Sequence, residues 1–417
     1  MRIKGLLKKL GRAARAPRPK PNLDQTLIEQ TDQLNEKAEL YWQTMTKDDA
    51  SRLRLLDKPL HDLGECASTF YRLGLVLAEA RLGVGLTVVD LGAGSCWLSS
   101  ILNKLRCRTI SLDVSHTALS LGEELFRRDP RHDWTLNPQF VSYDGYHLPL
   151  PDESVDRVIS FDAFHHIPNQ LQIIGEIYRV LKSGGRAIFS EPGEGHDEAP
   201  SSKMEVQVHG VLENNIILPD LMEKAAKVGF SKVLVKPYPH PSAITFSESE
   251  YRAFMAGNGR QFPLDVIRNY LRTFLTFTLL KGDDRYDSRA PNDLQAALHL
   301  RQGDAEPRAA CQSAAKLQVN VKNTGDTVWL CGPDVVGGYV SLGGHLYNDK
   351  RELLSYDFLR CPLPRDVKPN ESCLLTVEWT VPQAPGQYVL ELDMVDEQVR
   401  WFKESGSPTL EIIMVAF

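Results

Sequence analysis

The stretch that most constrains the fold is residues 88–97, which read VVDLGAGSCW. Two β-branched residues lead into Asp90, glycines follow at positions 92 and 94, and an apolar repeat of helical spacing begins at Leu98. This order predicts a strand, a glycine turn and the start of a helix. Glycine permits positive φ and close approach to a ligand, and a helix N-terminus presents free N–H groups. The stretch is therefore typical of a nucleotide-binding loop, although a G-x-G turn alone also occurs in ordinary buried turns.

Further predicted strands that end in acidic residues follow this loop. The predicted strand 109–114 contains Asp113, 23 residues after Asp90. Dinucleotide-binding folds have an acidic residue at about this spacing, and it binds the ribose hydroxyls. Alternation of strands and helices indicates a parallel sheet, whose ligands lie beyond the carboxyl ends of the strands. We therefore expect the acids that end these strands to lie along one edge of the sheet. They are Asp113, Asp144, Asp162 and Glu191.

Five ordered motifs between residues 88 and 281 resemble those of the class I S-adenosylmethionine-dependent methyltransferases. They are DLGAG, the acid Asp113, SYDGYHLPLPDESVDRV, FHHI and RVLKSGG. The resemblance implies a Rossmann-like α/β sheet and S-adenosylmethionine as the cofactor. The chain departs from the family pattern at Cys96, where a third glycine is common. Because cysteine is small, we expect closer helix packing there and no loss of cofactor binding.

The resemblance also implies which residues bind the cofactor. The loop after the first strand binds it directly, the acid after the second strand binds the ribose hydroxyls, and the segment 143–145 lies near the adenine. The predicted cofactor-binding residues are Asp90, Gly92, Ala93, Gly94, Asp113, Val114, Tyr143, Asp144, Gly145 and Phe161.

The catalytic candidates follow from the chemistry of methyl transfer. Transfer from a sulfonium is an in-line displacement, so the enzyme mainly holds the acceptor and the methyl group in line, and an alcohol acceptor also benefits from a general base. Four side chains on or near the carboxyl-end face are candidates for this base. They are His165, His166, Glu191 and His196. The sequence does not choose among them, because a histidine at the end of the fourth strand also serves packing or gating in this family.

No metal site is predicted from the sequence. Asp162, Glu191 and His196 could lie near one another, but no spacing of His, Cys, Asp or Glu residues supports a ligand set strongly. The seven cysteines form no C-x-x-C pair and are odd in number, which favours a reducing cytoplasm over a disulfide framework.

The first twenty residues differ in charge from the rest of the chain. They carry eight basic and no acidic residues, so their charge is +8, while the remainder carries −14. Apolar residues recur there at helical spacing, which suits the anionic cytoplasmic face of a membrane, although a disordered basic tail is an almost equal alternative. We predict a cytoplasmic protein with peripheral contact to the inner membrane through residues 1–20. The acidic remainder argues against nucleic acid as a partner.

A chain of 417 residues is too long for one ordinary domain. After residue 310, short runs of alternating apolar and polar residues separated by turns predict an antiparallel β-sandwich. Its NTG-x-x-x-W, PLP and VRWF segments resemble immunoglobulin-like domains on bacterial enzymes of surface-polysaccharide synthesis. Trp329, Tyr347 and Trp401 are candidates for stacking on a glycan, although core packing is the better interpretation for Trp329 and Trp379.

The fold class predicted is thus α/β, with a Rossmann-like methyltransferase sheet, a helical N-terminal extension and a C-terminal all-β sandwich. The predicted divisions are a basic tail at 1–21, a helical cap at 22–84, a cofactor-binding methyltransferase domain at 85–282, a linker at 283–310 and the sandwich at 311–417.

These features together predict an O-methyltransferase that uses S-adenosylmethionine. Its expected acceptor is a glycan or glycolipid, modified at a sugar hydroxyl of a lipid-linked or growing surface polysaccharide. Two alternatives stay open: a methyltransferase of a small molecule such as a quinone or lipid, and a non-catalytic scaffold that binds the cofactor in a glycan assembly complex. The sequence does not determine the acceptor, the general base or the oligomeric state.

Overall fold

The computed structural model describes residues 23–236, 245–258, 264–301, 307–334 and 336–417. The basic segment 1–20, with its predicted membrane contact, lies outside these residues. Among the helices that the structure describes, none has the length and apolar character needed to cross a lipid bilayer.

Three helices precede the first strand, as the pattern over residues 23–82 predicts. They are α1 (Gln25–Met45), α2 (Asp49–Leu56) and α3 (Leu63–Ala80). An aspartate caps each of them: Asp24, Asp48 and Asp62 accept hydrogen bonds from backbone N–H groups of the first turn. Helix α3 buries Val76 and Ala80 completely against the sheet. It is therefore a core helix as well as part of the N-terminal extension.

The α/β part consists of seven strands and the helices between them. The strands are β1 (Thr87–Leu91), β2 (Arg108–Asp113), β3 (Gln139–Ser142), β4 (Val155–Phe161), β5 (Leu181–Pro192), β6 (Lys232–Val235) and β7 (Phe274–Leu280). The helices are α4 (Trp97–Lys104), α5 (His116–Arg128), α6 (Gln170–Val180), α7 (Pro200–His209), α8 (Leu218–Val228), α9 (Glu248–Met255) and α10 (Leu264–Thr273).

These strands form one sheet in the order β3-β2-β1-β4-β5-β7-β6. All neighbours are parallel except β7, which runs antiparallel to β5 and β6. Every residue of β4 is buried, as expected for a parallel strand covered on both faces. The predicted Rossmann-like sheet is confirmed. The strand order reverses between β1 and β4, and in such sheets a crevice for ligands opens at that point.

The C-terminal part is an all-β sandwich, as predicted. Its strands are β8 (Tyr286–Asp287), β9 (Ala296–Leu300), β10 (Arg308–Ala309), β11 (Ala314–Asn323), β12 (Thr327–Val328), β13 (Val340–Asn348), β14 (Leu353–Pro362), β15 (Ser372–Thr380), β16 (Gly386–Asp396), β17 (Arg400–Trp401) and β18 (Leu410–Ala416). One sheet has the order β10-β18-β16-β13-β14, with β17 beside β16, and the other has the order β15-β11-β9. Buried residues of both sheets, including Val319 and Leu390, share one apolar core.

The predicted linker at 283–310 contains three of these strands. Strand β9 pairs with β11 as the third strand of the smaller sheet, and Leu294, Ala296 and Leu298 are buried in the sandwich core. These three residues alternate with more exposed ones, which is a strand pattern of period two. The many charges around them obscure this pattern in the sequence.

Two of the three aromatic side chains predicted to stack on a glycan are buried. Trp329 is fully buried beside Phe402, with ring centroids 5.4 Å apart. Trp401 is 6% exposed and lies under the Arg360 guanidinium. Neither ring presents a face to a ligand, because both fill the packing between strands.

The sandwich contacts the α/β part at the amino ends of the parallel strands. Asp156, near the start of β4, pairs with Arg289, and Arg108, at the start of β2, donates to both carboxylate oxygens of Asp334 at 2.8 Å. Although burial opposes it, the Arg289 and Lys182 charges lower the pKa of Asp156 to about 2. This contact lies at the end of the sheet opposite the crevice.

We expect the buried carboxyl of Asp396 to make stability fall as pH rises. In the part of the chain that the structure describes, neither of its oxygens has a hydrogen-bond partner, and burial raises its pKa from 3.8 to about 8. Its contribution to stability is complete below pH 3.8 and is lost as pH rises through about 8. Asp396→Asn should therefore raise the melting temperature by several degrees at pH 8.5 and progressively less toward pH 4.

The exposed Asp349→Asn is the matched control and should shift no melting temperature. Thermal unfolding followed by circular dichroism across this pH range measures both variants. A stabilisation by Asp396→Asn that is the same at every pH would contradict the assignment.

Candidate functional site

A cavity of about 430 Å³ lies between the N-terminal helices and the carboxyl ends of β1, β2 and β4. This volume falls within the range of about 300–1,000 Å³ that small-molecule sites occupy. Eight of the ten predicted cofactor-binding residues line it. They are Gly92, Ala93, Gly94, Asp113, Val114, Tyr143, Gly145 and Phe161.

The loop after β1 requires its two glycines. Gly92 and Gly94 have φ of 74° and 51°, and a Cβ atom on Gly92 would lie 2.4 Å from the Cβ of Ala163. Cys96 also has positive φ and is fully buried, and a Cβ atom on Gly122 of α5 would lie 2.2 Å from its sulfur. The close packing expected at Cys96 is thus present, because glycine stands opposite it.

Asp113 is bound to the loop and still faces the cavity. One carboxylate oxygen accepts the N–H of Gly94 at 2.8 Å, and the other accepts the N–H of Ser115 at 2.9 Å. Burial raises the pKa of this carboxyl. A carboxylate can accept about four hydrogen bonds, so Asp113 retains acceptor capacity for a pair of hydroxyl groups.

The other two predicted cofactor residues, Asp90 and Asp144, do not line the cavity. Asp90 accepts the N–H and the hydroxyl of Ser99 behind the loop, and burial raises its pKa to about 7. Asp144 accepts the N–H groups of Tyr146 and His147 in the turn after β3. Both side chains shape the loops that face the cavity, because each is short and is held by nearby groups of its own segment.

Helix α1 covers the loops that the cofactor prediction names. Asn35 donates to the carbonyl of Asp144 at 3.0 Å, and the Trp42 ring lies directly over Gly94. Glu39 accepts hydrogen bonds from Ser115 and Thr117 at the start of α5. Burial opposes ionisation of Glu39, but these hydrogen bonds outweigh it and lower the pKa to about 2. The charged carboxylate therefore fixes the helix over the cavity.

Glu191, a predicted general base, lies beneath the turn that follows β4. Its fully buried carboxylate accepts the hydroxyl of Ser160 at 2.9 Å and the N–H of Phe164 at 3.0 Å. It also accepts the N–H of Ala163 and contacts Nδ1 of His165 at 2.8 Å. These donors occupy Glu191 fully, and it does not line the cavity.

His165 lies between two carboxylates. Its Nδ1 contacts Glu191, and its Nε2 is 3.6 Å from Glu213. Burial by itself would lower the pKa of His165, but the two carboxylates outweigh it and raise the pKa to about 9. His165 is therefore protonated at neutral pH in this arrangement and stands behind the cavity wall.

His166 is the predicted general base that lines the cavity. Its Nδ1 contacts the backbone carbonyl of Leu212, which can only accept, so Nδ1 carries the proton. The fourth candidate, His196, instead contacts Glu213 through Nε2 at 2.6 Å. The structure thus gathers His165, His166 and His196 around Glu213.

The sequence interpretation missed three polar residues at this site. Glu213 lies in a segment without helical or strand periodicity, and its side chain is only 8% exposed. Burial opposes its ionisation, but hydrogen bonds from His165 and His196 lower its pKa to about 2. Lys58 lines the cavity from the segment after α2. No local pattern marks either residue, since each acquires its place through the fold.

The third missed residue is Arg72 of α3. It is 8% exposed and contacts both oxygens of Asp162 at 2.9 and 2.5 Å, and it donates to the hydroxyl of Ser190 at 2.9 Å. Asp162 has φ of 51°, so this pair holds a strained residue at the end of β4. The pair also joins α3 to the carboxyl ends of β4 and β5.

Sequence comparisons match a segment of the α/β part to known methyltransferases. Residues 89–189 match the family model described as a methyltransferase domain. The chain is 34% identical over 123 residues to malonyl-[acyl-carrier protein] O-methyltransferase of Marinomonas sp., covering 29% of this chain and 43% of that protein. It is 32% identical over 108 residues to demethylmenaquinone methyltransferase of Streptomyces griseus, covering 25% and 43%. The chain spans less than half the length of these curated relatives.

Among solved structures, the chain is similar to phosphoethanolamine N-methyltransferase 2 of Haemonchus contortus in complex with S-adenosyl-L-methionine. The identity is 18%, the match covers 59% of this chain and 60% of that one, and the TM-score is 0.41. The sequence matches support a class I S-adenosylmethionine-dependent methyltransferase domain within the α/β part. Its cofactor is S-adenosylmethionine, as predicted.

Asp113→Ala should weaken the binding of S-adenosylhomocysteine by about 10- to 100-fold, because a charged hydrogen-bond acceptor for the ribose is lost. Isothermal titration calorimetry on the full chain measures this loss. The exposed Asp349→Ala of the sandwich should bind like the parent. Unchanged affinity in Asp113→Ala would refute the role assigned to this carboxylate.

Glu39→Gln should loosen α1 from the start of α5 and weaken the binding of S-adenosylhomocysteine by about 3- to 10-fold, because the charged acceptor of three hydrogen bonds from residues 115–117 becomes neutral. Glu36→Gln, an exposed substitution on the same helix, is the matched control. The same calorimetric titration distinguishes them. Equal affinities for the two variants would show that the closure by α1 does not contribute to binding.

Proposed function

We propose that this chain is an S-adenosylmethionine-dependent O-methyltransferase that modifies a sugar hydroxyl of a lipid-linked or growing surface polysaccharide. The observation that carries the proposal is the composition of the cavity described above. The loops after β1, β2 and β3 supply the predicted cofactor side. The remaining wall has charged and polar side chains among apolar ones such as Ile167 and Leu212. The charged and polar ones are Lys58, His61, Glu65, Asp162, His166, Glu205 and Glu213.

A polar wall of this kind favours a hydroxyl-rich acceptor. A sugar offers several hydroxyl groups that can both donate and accept, so it can satisfy carboxylates and imidazoles together. An apolar ring with a long hydrocarbon tail would remove the charged groups of this wall further from water without offering them hydrogen bonds of its own, which costs free energy. The wall therefore supports a glycan over a quinone.

Transfer itself requires that the acceptor oxygen lies in line with the methyl group and the sulfur. Phe161 and Trp97 pack edge to face at 5.3 Å between the two sides of the cavity, and both line it. Asp162, fixed by Arg72, and His166 border the same region. These residues can orient an acceptor hydroxyl toward the cofactor side.

The position of the sandwich's described residues leaves the cavity uncovered on the acceptor side. It contacts the α/β part at the amino ends of the strands, and no residue beyond Glu213 lines the cavity among the residues that the structure describes. A long acceptor could therefore reach the cavity without passing the sandwich. Contact of the basic residues 1–20 with an anionic membrane would bring a lipid-linked acceptor to the same protein.

The relatives' names supply the second candidate. One is named for an acyl-carrier-protein substrate, another for demethylmenaquinone and a third, from Halobacterium salinarum, for arsenite. These acceptors differ widely, so the shared segment does not identify one. A quinone acceptor is the alternative that the demethylmenaquinone methyltransferases favour.

The test is methyl transfer from labelled S-adenosylmethionine by the purified full chain. Lipid-linked oligosaccharides, soluble polysaccharide and a demethylated quinone are offered separately, and S-adenosylhomocysteine is quantified with labelled product. We expect label in the glycan samples, and about a tenfold or greater loss of rate with Asp113→Ala at limiting cofactor. Label in the quinone alone would overturn the acceptor assignment. Binding of the cofactor without any S-adenosylhomocysteine would support a scaffold instead.

A further inference from the structure

Three side chains of types that bind metals, two histidines and one glutamate, converge at the wall of the cavity. His165, His166 and Glu213 each offer one ligand atom, and these atoms all lie within 4.8 Å of one another. Two of the residues are neighbours in the turn after β4, and the third comes from the segment before α8. The cluster therefore depends on the tertiary structure. The spacing of His and Glu residues along the chain did not predict it.

An outer contact holds each of these three side chains. Nδ1 of His165 contacts Glu191 at 2.8 Å, which leaves its Nε2 directed toward Glu213. Nδ1 of His166 contacts the carbonyl of Leu212 and lies 3.7 Å from Glu213, so a metal would bind this ring through the lone pair of Nε2. Metal-binding histidines almost always donate their other N–H to a carboxylate or a backbone carbonyl. Both histidines have this arrangement.

The carboxylate ligand is held in the same way. His196 Nε2 contacts one oxygen of Glu213 at 2.6 Å, while the other oxygen is 3.7 Å from His166 Nδ1. Glu191 is in turn fixed by Ser160 and by backbone N–H groups of the turn. The fully buried carboxylate of Glu191 thus holds His165, and the imidazole of His196 holds Glu213.

We propose that His165, His166 and Glu213 bind a divalent transition metal of the Zn²⁺ type. Two imidazole nitrogens and one carboxylate match the donor preference of Zn²⁺ or Co²⁺, whereas Mg²⁺ and Ca²⁺ prefer oxygen ligands alone. His166 and Glu213 line the cavity. A metal bound by these residues would keep a coordination position open on the cavity side, as catalytic rather than structural sites do.

The role of the metal rests on the proposed function, but its binding does not. A hydroxyl of the acceptor that takes the open position becomes more acidic, since a divalent cation stabilises the deprotonated oxygen. The oxygen then attacks the methyl carbon, the carbon–sulfur bond breaks, and sulfur keeps its electron pair as S-adenosylhomocysteine forms. The hydroxyl proton passes to solvent.

The competing interpretation is an ion-pair network without metal, in which a protonated His165 joins Glu191 and Glu213. Metal binding and this network make opposite predictions about Zn²⁺. A metal site binds one equivalent of Zn²⁺ per chain, while a satisfied ion-pair network binds none. Methyl transfer is not needed to distinguish them.

The test is titration of the full chain, freed of metal with a chelator, with Zn²⁺ by calorimetry and with Co²⁺ by visible absorption. No cofactor or acceptor is added. We expect one equivalent per chain, with the absorption of a low-coordinate Co²⁺ complex. Glu213→Gln and His166→Gln should weaken binding by about 100-fold or more, and His196→Gln by about 10-fold, as expected for a residue that only orients a ligand.

Glu205→Gln is the matched control, because this carboxylate lines the same cavity outside the cluster. It should bind Zn²⁺ like the parent, and circular dichroism checks that every variant is folded. Absence of stoichiometric binding by the parent, or binding that both Glu213→Gln and His166→Gln retain, would overturn the proposal. A parent that binds metal but methylates no glycan would leave the site standing and reject only the proposed acceptor.

Discussion

The arrangement of the site depends on one buried carboxylate, Glu191. It accepts hydrogen bonds from Ser160 of β4 and from the N–H groups of residues 163–165, so it fixes the turn that carries Asp162, His165 and His166. A buried acceptor without these donors would cost several kcal/mol of desolvation, and this cost keeps the turn in one conformation. The positions of the acceptor wall and of the inferred metal ligands follow from that conformation.

Other carboxylates around the cavity act in a similar way. Asp90 holds the first turn of α4, Asp113 holds the glycine loop, and Glu39 holds α1 over the start of α5. The sequence predicts that acidic residues lie along this edge of the sheet, and several of them were expected to bind the cofactor or act as the general base. The structure shows that most of them first satisfy backbone N–H groups of the loops, and Asp113 combines this role with a place in the cavity wall. The carboxylate of Asp113 therefore both orders the glycine loop and is available to a ligand.

Much of the fold could be predicted because its signals are local. The glycine loop at 88–97, the buried strands and the alternating strands of the sandwich each arise from neighbouring residues. The linker is the exception: residues 283–310 contain β9, whose apolar side chains pair with β11 only after the sandwich closes. Trp401 is a similar case, because its burial depends on Arg360 and His345 from other strands. A short strand flanked by charged segments is recognised by its partner strand and not by the composition of its surroundings.

The sequence by itself determined the class of sheet and the glycine loop, because sterics and hydrogen bonding within each short segment define them. Its resemblance to the methyltransferases implied eight of the residues that line the cavity. Only the tertiary structure decided which polar groups meet. Arg72 reaches Asp162 across 90 residues of chain, Glu39 reaches Ser115 across 76, and Glu213 joins histidines from two other segments. Such contacts depend on how distant segments pack, and no periodicity in the chain records that packing.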